Sequence, residues 1–194
     1  MPSRRDWLKG AAAMLLVREA LAQGRLEQGI YRRQGDVRIS GDSVSTGADG
    51  EVVFVVDKDA VLVRRNSELS ILKTGLRIVT GAVLSVFGDG RRQLRTPTAH
   101  IGIRGTAVYL EVEPGRTYVC TCYGEAVLEP RGDPAARETV RTLHHEQPRY
   151  IMAQGAPQMI MPAPVVNHTD AELVFLETLV GREPPFVGKG LRPY

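Results

Sequence analysis

Short strand-like stretches rich in β-branched and apolar residues, several of them alternating with Arg, Ser or Glu, follow one another through the first half of the chain. They occupy residues 37–39, 51–56, 60–64, 67–72, 75–79, 82–87 and 92–95. Turn-forming residues separate them about every ten positions, as in Gly47–Gly50 and Gly88–Gly90. This pattern predicts an all-β fold, a sandwich, barrel or solenoid, in which most strands keep one face towards solvent.

The C-terminal part, residues 153–194, has a different pattern. Residues 153–166 are rich in proline, alanine and methionine, which predicts an extended and irregular connection. Thr169 and Glu172 then fit a capping box, and Leu173, Leu176 and Val180 recur at helical spacing before a glycine. We therefore expect one amphipathic helix at about residues 170–180, packed on the β body and followed by a surface tail.

The first 22 residues resemble a twin-arginine export signal. Arg4 and Arg5 precede Trp7, Leu8 and a lysine, and a short apolar run leads to small residues at positions 20 and 22. An amphipathic N-terminal helix of the fold is the alternative. The resemblance implies an exported, periplasmic chain divided into a signal (1–22), a β domain (23–152) and a C-terminal segment (153–194).

The distribution of charged residues bears on which kind of partner the protein can bind. The formal net charge is +3, and most of this excess lies within the predicted signal. The remainder mixes both signs without a clustered basic run, so no nucleic-acid partner is expected. No stretch after the signal is long enough to span a bilayer as a helix. We expect an envelope protein as the partner, and the oligomeric state stays open.

Residues 94–106, LRTPTAHIGIRGT, carry a resemblance to the FecR-type periplasmic domain, which extends over about residues 30–130. That resemblance implies a β-rich, solenoid-like fold. The family is best known as the periplasmic half of iron-uptake signal transducers. In this sequence the predicted export signal stands where those transducers have a cytoplasmic segment and a spanning helix, so the resemblance supports the fold rather than the transducer role.

The motif also has a structural interpretation. Gly102 and Gly105, together with Thr106, would allow close backbone approach or a bulge in a strand. Arg104, with its planar fork of five donors, could tie carbonyls or a carboxylate together. An anion or partner contact through Arg104 is the alternative.

The only two cysteines, Cys120 and Cys122, are two positions apart on one predicted strand and should therefore share a face. Their expected Cα separation of about 6.6–6.8 Å is at the outer limit for a disulfide. Buried packing, a strained redox bond and metal ligation therefore all remain open. For a metal, the further ligands would be His144 or His145, of which one should face the thiols, and His168. Such a set suits zinc, and also copper, iron or haem.

No nucleophile elbow, P-loop, dinucleotide fingerprint or HExxH helix occurs in the sequence. We therefore expect a binding or interaction protein with a Cys/His metal-binding or redox-sensing cluster, although the sequence leaves an enzymatic role undecided. The alternatives are a purely protein–protein interaction module of an envelope signalling or assembly system, and a thiol–disulfide redox protein.

Overall fold

The structure is a computed structural model that describes residues 29–189. The predicted export signal, residues 1–22, lies outside the described residues. The strands are Ile30–Gln34 (β1), Val37–Ser40 (β2), Ser43–Thr46 (β3), Glu51–Val56 (β4), Asp59–Val63 (β5), Glu68–Leu72 (β6), Gly75–Val86 (β7), Arg91–Arg95 (β8), Ala99–Glu113 (β9), Arg116–Pro130 (β10), Glu138–Thr142 (β11), Arg149–Met152 (β12) and Ile160–Pro162 (β13). A 3₁₀ turn lies at Pro134–Ala136, and the helix α1 spans Asp170–Leu179.

The strands form one hydrogen-bonded sheet whose main path is β1-β4-β5-β7-β8-β9-β10-β12-β13. Strand β11 pairs with β10. Strand β2 pairs with β3, β3 with β6, and β6 with β7, which connects these three strands to the main path. Every pairing is antiparallel except that of β7 with β8. The predicted all-β class with one C-terminal helix is confirmed. Two details differ: residues 75–86 form one continuous strand rather than two, and the segment predicted to be irregular contains β13, which pairs with β12.

The sheet is buried on both faces over part of its area. One core contains side chains such as Phe54, Leu69 and Ile101, which come from early and late strands alike, so the sheet folds over on itself. A second core lies on the opposite face of β4, β5, β7, β9 and β10. The sequence predicted one wet face for most strands. That prediction is wrong for these strands, because residues 163–187, here called the C-terminal cover, pack against their second face.

Helix α1 is the main element of the C-terminal cover. The predicted capping box is present, with the Thr169 hydroxyl accepting from the Glu172 N–H and the Glu172 carboxylate accepting from the Thr169 N–H. The helix ends in a Schellman motif, in which the N–H groups of Gly181 and Arg182 donate to Thr178 O and Glu177 O. Leu173 and Leu176 are fully buried against the sheet, and each such side chain stabilises the docked cover by about 1.5–3 kcal/mol.

Two compensating bulges interrupt the long β9–β10 hairpin. Thr121 pairs with Val108 and Tyr123 pairs with Ala107, so Cys122 is an extra residue in β10. The next pair, Glu125 with Arg104, restores the register by placing two residues of β9 opposite one residue of β10. A bulge bends its strand and redirects side chains. The bulge at Cys122 bends β10 and redirects its side chains at the point where the C-terminal cover packs on the sheet.

Gly124, the single β10 residue opposite the two bulged residues of β9, should not tolerate a side chain. Its φ is +94°, and an added Cβ would lie 2.8 Å from Thr106 Oγ1 and 3.0 Å from Gly105 O. We expect Gly124→Ala to lower the free energy of unfolding by about 1–3 kcal/mol. Gly102→Ala is the matched control, because its Cβ would meet only Val127 Cβ at 3.9 Å. Chemical denaturation of both variants measures the difference, and equal stabilities would contradict this account of the bulge.

Candidate metal centre

Four side chains from three separate parts of the chain converge beneath the C-terminal cover. Cys120 and Cys122 come from β10, His145 from the loop between β11 and β12, and His168 from the segment just before α1. Their ligand atoms (Sγ of each cysteine and one ring nitrogen of each histidine) all lie within 4.8 Å of one another. All four residues are buried, at 0 to 4 % exposure, so the group is closed to solvent.

The bulge in β10 anchors the loop that carries His145. The carbonyl of Thr121 accepts from Thr142 Oγ1 at 2.6 Å. The carbonyl of Cys122 accepts from the backbone N–H of His145 at 3.0 Å. The bulged segment therefore supplies both the two thiols and the acceptors that hold the histidine loop over them.

The loop itself is held in an uncommon conformation. His145 has φ +62°, a left-handed geometry that costs energy for a residue with a Cβ. The Glu146 carboxylate stabilises the turn by accepting from the N–H groups of Leu143 and His144 at 2.8 and 2.9 Å. These backbone bonds keep the pKa of Glu146 below its usual value, although desolvation acts in the opposite direction. The strained turn directs the ring of His145 inwards, towards the thiols.

The adjacent histidine takes a different place. His144 Nε2 lies 3.0 and 2.9 Å from the two Asp170 carboxylate oxygens, and its ring packs on Phe186. From the sequence we expected one of this pair to face the thiols because adjacent side chains on an extended segment point opposite ways. The structure places His145 there, but through a left-handed turn, and both rings contact Asp170.

The second ring nitrogen of each buried histidine has a defined partner. His168 Nδ1 lies 2.6 Å from the carbonyl of Val166 and must donate to it. His145 Nε2 lies 3.2 Å from Asp170 Oδ1, which favours an N–H at that position. The His168 ring also stacks on Tyr109, with centroids 4.5 Å apart. These partners fix both ring orientations and both tautomers, as the outer contacts of metal-binding histidines do.

With these tautomers, two nitrogen lone pairs face each other. His168 Nε2 lies 3.0 Å from His145 Nδ1, and Cys120 Sγ lies 3.3 Å from the same His145 nitrogen. Two lone pairs at this distance repel unless a proton or a metal cation lies between them. The arrangement of the neighbours therefore prepares this buried point for a positive charge.

The two thiols titrate as a pair. The Cys122 side chain, followed by His145 and His168, lowers the pKa of Cys120 to about 4, against the opposing effect of burial. Burial and the neighbouring Cys120 raise the pKa of Cys122. One thiol of the pair therefore loses its proton easily, and the thiolate is the form that binds metals. Both cysteines are free, with no disulfide between them.

The dimensions can be compared with those of a tetrahedral zinc site. Zn–S bonds of about 2.3 Å and Zn–N bonds of about 2.0–2.1 Å place neighbouring ligand atoms about 3.3–3.8 Å apart. The N–N and S–N separations of 3.0 and 3.3 Å are slightly shorter, and every other pair is within 4.8 Å. Small side-chain shifts would therefore produce a Cys2His2 tetrahedron.

The GxRGT residues lie outside this centre. Gly105 has φ +55° and sits in the bulge of β9. The Thr106 hydroxyl lies 2.8 Å from Arg104 O and 3.0 Å from Glu125 O, and it accepts from the Glu125 N–H. Arg104 and Gly102 are exposed. From the sequence we expected Arg104 to link neighbouring strands by hydrogen bonds. In the structure, Thr106 makes such a link between β9 and β10.

Further polar contacts fasten the C-terminal cover. The Tyr123 hydroxyl donates to the buried carboxylate of Glu177, which also accepts from Arg182 Nε at 2.6 Å. Tyr118 donates to Pro164 O at 3.0 Å, and Arg64 donates to Asn167 O at 2.9 Å. Desolvation, followed by the hydrogen bond to Glu177, raises the pKa of Tyr123 far above its usual value. The segment that contributes His168 is therefore held on both sides of that residue.

Sequence reasoning did not identify Asp170, Tyr109 or the Val166 carbonyl as parts of this centre. Asp170 reads as an acidic residue in the first turn of a helix, and it does occupy that position. Its second role, contacting His144 and His145, depends on a loop some 25 residues earlier. No local sequence signal encodes that contact.

Comparisons with known proteins show similarity at the level of the fold. Two crystal structures of a candidate anti-sigma factor from Parabacteroides distasonis match with TM-scores of 0.52 and 0.51, each at 9 % sequence identity. Each match covers 62 % of this chain, which spans 58 % of the length of that protein. No protein-family model and no curated protein matches the chain. Within residues 29–189, no helix is both long enough and apolar enough to cross a membrane.

Proposed function

We propose that this protein is an exported, non-enzymatic FecR-like binding module that holds one zinc ion with Cys120, Cys122, His145 and His168. The observation that carries the proposal is the convergence of two thiols and two imidazole lone pairs on one buried point. Val166 and Asp170 already occupy the opposite ring nitrogens, so the chain has oriented both imidazoles for a ligand role.

The chemistry of the donor set favours zinc with a structural role. Two thiolates neutralise a divalent cation, and mixed sulfur and imidazole donors in a tetrahedron suit zinc, which also requires no redox partner. A catalytic zinc keeps one position open for water or substrate, whereas here four protein donors surround the point and all four residues are buried. The ion would therefore fasten the C-terminal cover, which carries His168, to the β body.

Copper and iron are alternative occupants, since soft thiolates with imidazole also bind them. A twin-arginine signal would suit either occupant, because such a signal carries cargo that folds, and can load its metal, before export. The metal carried by protein expressed with its own signal therefore identifies the physiological ion.

A thiol redox role has one specific observation in its favour. Cys120 Sγ, His145 and Asp170 form a Cys–His–Asp series, with 3.3 Å from Sγ to Nδ1 and 3.2 Å from Nε2 to Oδ1. Such a series can activate a thiolate nucleophile. However, Cys120 has no exposed surface, so a substrate cannot reach it in this conformation. Insulin reduction at a rate above background would favour the redox role over the zinc centre.

Elemental analysis of purified protein tests the metal centre. We expect about one zinc per chain in the unaltered protein, and near-complete loss in Cys122→Ser and His168→Gln, because three donors bind a divalent ion far more weakly than four. His100→Gln is the matched control, since His100 lies on another part of the sheet and should leave the metal content unchanged. Metal-free protein with two titratable thiols would contradict the proposal and return the cysteines to a packing role.

Asp170→Asn tests the orientation of His145 separately from the ligands. Loss of the carboxylate weakens the contact that fixes the imidazole, and such changes usually reduce metal affinity about 10–100-fold. A competition titration with a chromophoric chelator measures this change. Glu172→Gln is the control, because its carboxylate contacts the Thr169 N–H at the helix cap and the Arg64 guanidinium but none of the four donor side chains. Equal zinc affinities in the two variants would show that Asp170 acts only at the helix terminus.

The export route depends on Arg4 and Arg5. Replacing both with lysine should retain the precursor in the cytoplasm, because twin-arginine transport reads that pair, whereas Arg18→Lys should not alter export. Cell fractionation with immunoblotting measures the distribution. Unchanged periplasmic protein in the double variant would mean that residues 1–22 direct export by another route.

A further inference from the structure

A second region of the sheet has the properties of a binding surface. Its arginines project from one exposed face of β7, β8 and β9 and from the turn after β10, and we call this region the arginine face; its members are Arg77, Arg91, Arg95, Arg104 and Arg137. We propose that it binds an acidic segment of a partner polypeptide. This inference rests on the interaction role proposed above and not on the metal.

Two pairs of like charges lie directly opposite each other on this face. Arg91 pairs with Arg104 across β8 and β9, and Arg77 pairs with Arg95 across β7 and β8. Like charges at directly opposed positions destabilise a sheet. Within residues 29–189 neither guanidinium of the first pair donates a hydrogen bond, and Glu125, which lies opposite Arg104 on β10, is engaged by Arg141 instead. An anionic partner would remove this repulsion.

A depression lies between the two pairs. Its floor is Gly102 and the opposing Val127, and a cavity of about 610 Å³ opens above it. Gly102 does not have a left-handed φ, and an added Cβ would make only one ordinary contact, at 3.9 Å. Neither backbone conformation nor packing requires glycine here. Because Gly102 has no side chain, the depression is deep enough for a ligand bound on the arginine face to enter it.

The charge around the depression is positive. Glu125 is engaged by Arg141 at 2.6 Å, and Arg92 is engaged by Asp59 at 2.8 Å. Glu129 is then the acidic side chain left at the rim, against Arg91, Arg104 and Arg137. Guanidinium groups bind carboxylates through paired hydrogen bonds, which gives geometric selectivity for acidic side chains.

The spacing favours a polypeptide over a nucleic acid. Arg91 and Arg95 are four residues apart on β8, so the two arginine pairs stand about 13 Å apart. Acidic side chains four residues apart on an extended peptide have the same separation. No Phe, Tyr or Trp lines the depression, although single-stranded nucleic acids need such rings for base stacking.

Selection from a phage-displayed library of random peptides tests the inference with the complete, metal-loaded protein. We expect enrichment of peptides with spaced aspartate or glutamate. Their affinity should fall about tenfold or more in Arg104→Glu, since charge-assisted hydrogen bonds are lost and repulsion is added. Gly102→Leu should weaken them too by filling the depression, with no change in thermal unfolding. Arg38→Glu is the control of equal charge change, at a side chain that is 79 % exposed and beside Asp36, and should leave affinity unchanged.

Three results would overturn the inference. The first is a selection without acidic enrichment. The second is equal weakening by Arg38→Glu and Arg104→Glu, which would mean non-specific attraction. The third is heparin binding that depends on Gly102 in the absence of selected peptides, which would indicate a polysaccharide partner. Cys122→Ser separates the two proposals: it should lose zinc and keep peptide binding, whereas Arg104→Glu should do the reverse.

Discussion

The docking of the C-terminal cover on the second face of the sheet is the contact on which the rest of the structure depends. Strands such as β4 are apolar on both faces, and a sheet with that composition is stable in water only when both faces are covered. The cover supplies the missing layer through Leu173, Leu176 and Phe186. It also brings its own polar anchors, so that the buried hydroxyl of Tyr123 and the carboxylate of Glu177 satisfy each other.

The Cys/His centre lies at this interface. Three of the four donor side chains belong to the β body, and the fourth, His168, belongs to the cover. Without the cover, the cysteines would lie on an uncovered face of β10, and His168 would be a side chain on an extended segment. The cysteines and His168 therefore come together only when the cover docks on the sheet. A cation held there would link residues distant in the chain, which is how structural zinc sites couple binding to folding.

The fold and the centre carry different kinds of information. The similarity to a candidate anti-sigma factor concerns the β architecture, at 9 % identity and over part of each chain. A fold can host many functions, so the argument for function has to come from the side chains. In this protein they form two regions: a buried group of sulfur and nitrogen donors, and the exposed arginine face, which includes Arg104 of the GxRGT segment. The first lies between the two layers of the molecule, and the second faces solvent.

The sequence alone determined the features that depend on local periodicity. Alternation and regularly spaced turns were enough for the all-β class, and the Thr169–Glu172 box with the following glycine was enough for the one helix, because caps and strand patterns are short-range. The shared face of Cys120 and Cys122 also followed from the strand period. The tertiary structure decided the rest. Only the packing of the cover shows that Asp170 and Val166 orient His145 and His168, and only the pairing of β9 with β10 makes Cys122 a bulge. Only cross-strand register brings Arg91 opposite Arg104. These features depend on contacts between residues far apart in the chain, and no local pattern encodes such contacts.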